Sequence, residues 1–199
     1  MSETVAIQNE TLNNLLNDLQ LQDHEPSVNM EALANAAPRY IKDLKINVSN
    51  ALNNTQYLNK KEALLLGLAV AINEKFDLLK ESFTSQAKEE GAGEAEIAEI
   101  TAIVSLMNTN NVFYRFRHFM QKDFYNNQPA GIKMSVMMNP LLGKEFFELV
   151  SLVISAINGC EMCVSSHEQS VLQHGSSEAR IFEAVKAGAI IKGLITALS

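Results

Sequence analysis

Positive charge is scarce in this chain. Its 199 residues carry 16 lysines and arginines against 23 aspartates and glutamates, a formal net charge of −7 at pH 7. That balance disfavours nonspecific attraction to nucleic acid or to an anionic membrane, and neither is expected as a partner. Long hydrophobic runs are missing too: stretches such as 63–72 fall well short of the roughly 20 apolar residues that a membrane-spanning helix requires. The N-terminal Met1-Ser2-Glu3-Thr4 shows neither a basic leader nor an apolar export segment, so a cytoplasmic location is the expectation. The glycosylation pattern Asn47-Val48-Ser49 carries no weight without export. No glycine-rich phosphate loop, nucleotide-binding fingerprint or haem motif occurs, and no cofactor is expected.

Chain breakers are few as well. Four prolines and nine glycines leave room for long helices, and a 47% hydrophobic composition supplies a substantial core. The periodicity predicts an all-α fold in a single domain over residues 1–199. Leu12, Leu15, Leu16 and Leu19 mark a helix over 9–22 that Pro26 helps to end, a short helix covers 29–36, and Pro38 starts another through Tyr40, Leu44 and Val48. Residues 60–88 form a helical region in one piece or two, punctuated by Gly91 and Gly93, and 94–108 resume the pattern. An aromatic-rich helix or helix pair follows over 111–126, then a looser segment over 127–144 with room for a short helix. The last elements are 145–157, 160–174 and 177–197. Helix 145–157 is apolar on nearly every side, the signature of a central buried helix.

The chain also repeats itself, approximately over 60–108 and 145–197. Ala71-Ile72-Asn73 aligns with Ala156-Ile157-Asn158, and Ala95-Glu96-Ile97 with Ala179-Arg180-Ile181. Two related helical hairpins sharing one core are the expected architecture. Their chemistry is unequal: Lys75, Leu78 and Ser82 stand where the second copy has Cys160, Cys163 and His167.

Only two cysteines occur, and both sit in Cys160-Glu161-Met162-Cys163. A loop that short is a poor structural staple in a reducing compartment, which favours a catalytic, redox or metal role. On one helix, positions 160, 163 and 167 share a face. The start of a helix stabilises a thiolate, and His167, one turn beyond Cys163, either favours the Cys163 thiolate or accepts the thiol proton. A thiolate that attacks a peroxide becomes a sulfenic acid, which a neighbouring thiol resolves as a disulfide. On this reading Cys163 attacks, while Cys160, at an exposed helix start, resolves and meets the reducing partner. Four alternatives stay open: general dithiol–disulfide exchange, a non-enzymatic helical protein whose thiols sense oxidation, a zinc site completed by a further ligand, and two cysteines that are inert small hydrophobes.

Glu148 is the other candidate, a carboxylate near the start of the very apolar helix 145–157. If buried it must meet a polar partner, and could then relay protons to and from Cys163; if solvated it is an ordinary first-turn acid. It stands about 18 Å from Cys160 along an unbroken helix, so only a turn at Asn158-Gly159 brings it to the thiols. His118 is expected in packing or a hydrogen bond, with a site role as the alternative. Arg115 and Arg117 serve packing and salt bridges, His24 and His174 are turn or surface residues, and Met134, Met137 and Met138 fill core or interface space.

These residues resemble the alkyl hydroperoxidase D family, within the wider carboxymuconolactone decarboxylase-like group. The likeness is strongest over Phe147-Glu148-Leu149 and from Ser155 through Cys160-Glu161-Met162-Cys163 to His167-Glu168. Support comes from Asp43-Leu44-Lys45, Asn110 to Arg115 and Ile181-Phe182-Glu183-Ala184. The resemblance implies an all-α fold, a homo-oligomer that is commonly trimeric, and reduction of organic hydroperoxides, with hydrogen peroxide as a further substrate. It places the nucleophile on Cys163, the resolving thiol on Cys160 and the proton relay on Glu148 and His167. The implied reductant is a dithiol such as dihydrolipoamide on a 2-oxoacid dehydrogenase component. The best-known branch has a histidine immediately before the nucleophile, where this chain has Met162. The family's lactone decarboxylase lacks the cysteine pair, which argues against that reaction here.

Overall fold

A computed structural model describes residues 10–199; residue 9 of the expected first helix lies outside the described residues. Among the described residues ten α-helices follow one another: α1 (Glu10–Asp18), α2 (Val28–Ala36), α3 (Pro38–Leu52), α4 (Lys60–Asn73), α5 (Asp77–Glu89), α6 (Glu94–Met120), α7 (Asp123–Asn127), α8 (Lys144–Ile157), α9 (Glu161–Gln173) and α10 (Glu178–Leu198). The looser segment before α8 contains a single 3₁₀ turn, Ser135–Met137. No strand occurs among the described residues, so the fold is all-α.

Local chemistry sets most of the boundaries. The Ser27 side chain accepts the Met30 N–H to open α2, and Pro38 occupies the first turn of α3, where its missing N–H costs nothing. Asn59 and Glu62 form a reciprocal capping box at α4. Two boundaries differ from the sequence expectation. The first helix ends at a left-handed Gln20 (φ 54°) and not at Pro26, because the bond from Leu21 N–H to the Leu16 carbonyl closes the chain there. Helix α6 runs unbroken through 109–110, since Asn110 and Asn111 are buried within it and hydrogen-bond sideways to neighbouring segments.

The core is built around α4 and α8. Residues Ala63–Ala71 and Phe146–Ser155 are buried without interruption, as expected for central helices wrapped on all sides. Each fully buried leucine of α4 contributes about 1.5–3 kcal/mol relative to exposure. Helix α10 lies across both: a Cβ at Gly188 would overlap Val153 Cγ1 of α8 and fall 3.8 Å from Val70 Cγ2 of α4.

The two helical stretches have matching bounds, offset by 84 residues from Lys60 to Lys144, Asp77 to Glu161 and Glu94 to Glu178. The left-handed positions follow the same offset: Lys75 (φ 56°) with Gly159 (φ 69°), and Gly91 (φ 84°) with Gly175 (φ 87°). This register corrects the sequence alignment by one residue at the cysteines. Opposite Cys160, Cys163 and His167 stand Phe76, Leu79 and Phe83, rather than Lys75, Leu78 and Ser82, because the left-handed residue of each turn fixes where the next helix begins. Opposite Glu148 stands the buried Leu64. An ion pair recurs with its charges exchanged, Lys61–Glu96 at 2.7 Å and Glu145–Arg180 at 2.9 Å.

The close approach at Gly188 yields a test. Gly188→Ala drives a methyl group into Val153 and should lower stability by about 1–3 kcal/mol, read as a shift of the denaturant midpoint. Adding Val153→Ala should recover part of that loss by removing the opposing methyl group.

Candidate active site

The turn between α8 and α9 is three residues long. Gly159 adopts φ 69°, a conformation that favours glycine, and the Cys160 N–H reaches back to the Ser155 carbonyl at 3.0 Å. Helix α9 therefore folds back along α8. A polar clamp from α6 and α4 holds the turn: Asn158 donates to Asn111 Oδ1 at 2.9 Å, Asn111 donates to Ser155 Oγ at 2.9 Å, and Asn73 donates to Asn158 Oδ1 at 3.1 Å. Arg115 donates to the Asn158 carbonyl, so its task is the turn rather than a salt bridge.

The reversal brings Glu148 and His167 together. Glu148 is 3% exposed, its Oε2 lies 2.6 Å from His167 Nδ1, and its Oε1 lies 2.8 Å from Lys144 Nζ. Burial pushes the carboxyl upward, but the hydrogen bonds and charges of His167 and Lys144 outweigh it and hold the group below its ordinary value near 4.5. An ionised Glu148 can only accept, so His167 Nδ1 carries the shared hydrogen and Nε2 is left to exchange protons.

Cys160 and Cys163 are joined as a disulfide. Cys163 borders a cavity of about 360 Å³ walled by Asn110, Tyr114, Met134, Met137, Met162, Ser166 and His167. Cys160 does not. At 1% exposure, against 7% for Cys163, it is the more deeply buried sulfur, contrary to the exposed helix start expected from sequence. The tight turn is the reason: it ties Cys160, the residue that caps α9, back to the Ser155 carbonyl of the preceding helix. Among the described residues, no group of three or more His, Cys, Asp or Glu is arranged to hold a metal ion.

The other candidates scatter. His118 is on the surface, 3.9 Å from Glu161, beside a neighbouring groove that Tyr114 and Met162 share with the cavity. Arg117 stacks over Phe113 and donates to the Gln128 carbonyl. His24 and His174 are exposed. Met134 and Met137 wall the cavity, whereas Met138 is exposed.

This constellation has relatives. Residues 127–199, which contain the turn, both cysteines, Glu148 and His167, match the carboxymuconolactone decarboxylase family. The chain is 37% identical over 171 residues to the alkyl hydroperoxide reductase AhpD of Rhodococcus erythropolis, covering 86% of this chain and 94% of that protein. It is 34% identical over 173 residues to the AhpD of Maricaulis maris, covering 86% and 98%. Against that of Solibacter usitatus the identity is 36% over 169 residues, covering 85% and 94%. The chain belongs to the AhpD family.

Several residues of this AhpD-family site escaped the sequence reading. Lys144 carried a usable signal, standing four residues before Glu148 on the same helix face. Asn110 and Tyr114 also share a face, but their asparagine-rich setting reads locally as a break between helices. Nothing in the local pattern marks Ser166.

The buried carboxylate makes a pH prediction. A depressed folded-state pKa adds stability that is complete above the unfolded value near 4.5 and is lost as pH falls through the lower folded value. Glu148→Gln should therefore cost about 1–3 kcal/mol at neutral pH. The gap between variant and wild type should narrow as pH is lowered below 4.5, followed by denaturant unfolding at several pH values.

Proposed function

We propose that this chain reduces organic hydroperoxides, and hydrogen peroxide as a smaller substrate, through a Cys160/Cys163 dithiol–disulfide cycle. The observation that carries this reading is the joining of a bonded cysteine pair, one member facing a cavity, to a buried histidine–carboxylate–lysine relay. In the reduced protein, His167 Nε2 takes the Cys163 thiol proton, and Glu148 stabilises the resulting imidazolium. The Cys163 thiolate attacks the terminal oxygen of the hydroperoxide and the O–O bond breaks. The departing alkoxide keeps that bond's electron pair and receives the proton from His167 as an alcohol. Cys163 is then a sulfenic acid. The Cys160 thiol attacks its sulfur, water leaves, and the disulfide forms.

A dithiol donor returns two electrons and two protons. Because Cys163 is the sulfur at the cavity, the incoming thiolate meets Cys163 first and Cys160 departs, in place of the Cys160 contact expected from sequence. Dihydrolipoamide on a 2-oxoacid dehydrogenase component is the donor proposed. Met162 stands partly exposed at the cavity rim and has no proton to transfer, so the relay runs through His167, Glu148 and water.

The same reading takes the two offset helical stretches as copies of one unit within a single domain, the first serving as scaffold. It includes self-association, as a trimer, which the exposed Phe116, Phe119 and Phe124 support. Among the described residues no helix is long and apolar enough to cross a membrane, and a cytoplasmic location is part of the proposal.

Cys163→Ser should abolish peroxide consumption. Cys160→Ser should consume one equivalent and stop at a sulfenic acid that dimedone traps. A donor panel of dihydrolipoamide, thioredoxin and glutathione with cumene hydroperoxide should give fastest turnover with dihydrolipoamide. Wild-type protein reacting with peroxide no faster than Cys163→Ser, yet turning over a protein disulfide, would instead identify a general disulfide exchanger.

A further inference from the structure

Asn110 is the polar group the relay leaves unexplained. It lies on α6, is 5% exposed, and borders the same cavity as Cys163. Among the described residues its Nδ2 donates only to the thioether sulfur of Met134, at 3.3 Å, and its Oδ1 has no hydrogen-bond partner. A buried amide oxygen without a donor costs stability, and most buried polar atoms in folded proteins avoid that state. The neighbouring Asn111 shows the contrast, for both of its amide groups are spent on clamping the turn. Donation to a sulfur fixes which amide atom is the oxygen, so the unmet need is specifically for an incoming O–H or N–H.

We infer that Asn110 is a substrate-anchoring residue whose Oδ1 accepts the terminal O–H of the hydroperoxide, holding that oxygen for attack by Cys163. This rests on the hydroperoxide reading above and assigns the residue that grips the reacting head group. Of the other walls, Tyr114, Met134, Met137 and Met162 offer mainly apolar surface to the organic remainder. The hydrogen-bonded atom is the one transferred: when the O–O bond breaks, the terminal oxygen moves to Cys163 sulfur with its hydrogen, and the alkoxide leaves with the bond's electron pair to be protonated by His167. Asn110 therefore accepts from the same O–H before transfer, in the hydroperoxide, and after it, in the sulfenic acid.

The test compares two reagents that modify the same sulfur. Stopped-flow oxidation of reduced Cys163 by cumene hydroperoxide, which carries the O–H, is set against modification by methyl methanethiosulfonate, which carries no O–H or N–H. Asn110→Leu should slow the hydroperoxide reaction about tenfold, the loss of roughly one hydrogen bond. It should leave the thiosulfonate rate and the melting temperature undiminished, because no protein hydrogen bond to Oδ1 is lost. Asn110→Ala, read the same way, serves if the leucine variant does not fold. An unchanged hydroperoxide rate, or an equal loss with both reagents, overturns the assignment. Wild-type protein that reacts with the thiosulfonate but not with hydroperoxide overturns the peroxidase reading itself, and this inference with it.

Discussion

Everything at the site depends on the reversal of the chain at Asn158-Gly159. Had α8 continued, Glu148 and His167 would lie on one rod, 19 residues and about 28 Å apart. The left-handed Gly159 turns the second helix back along the first and reduces that separation to a 2.6 Å hydrogen bond. The same turn places the first cysteine inside and the second at the cavity wall. It is held by side chains of α4 and α6, so the geometry of the thiol pair is fixed by helices that carry no sulfur.

The buried carboxylate is the costliest feature of this arrangement. An unpaired Glu148 at that depth would take up a proton or destabilise the fold. Two hydrogen-bonding partners prevent this, one from its own helix and one from α9, and each serves a different purpose. Lys144 keeps the carboxylate charged, while His167 is oriented by it and given a defined tautomer. Where the earlier helical stretch has Leu64, Phe76, Leu79 and Phe83, the later one has Glu148, Cys160, Cys163 and His167. A position set that is an apolar cluster in one half thus holds ionisable and redox-active groups in the other.

Much of this was legible in the sequence because it rests on local pattern. The uniform apolarity of 145–157 gave a buried helix, and the spacing of Cys163 and His167 matches the cavity wall they share. The closing turn was foreseeable from Asn158-Gly159. What local pattern misread was set by tertiary contact. Asn110 and Asn111 resemble a break until α8 and Met134 supply partners for them. The burial of Cys160 depends on how tightly the turn closes. The register between the two helical stretches depends on Lys75, a non-glycine in a left-handed conformation that no propensity rule would select.

The exchanged ion pairs bear on how such a chain assembles itself. The first two helices of each stretch have equal lengths and similar turns, so each offers the other a nearly matching partner while the chain is still searching. A crossed pairing would set Lys61 against Arg180 and Glu96 against Glu145, two repulsions in place of two attractions. The reversal of sign gives each stretch its own charge match, and Arg180, which also grips Glu62 of the earlier stretch at 2.7 Å, acts as a buckle between the two.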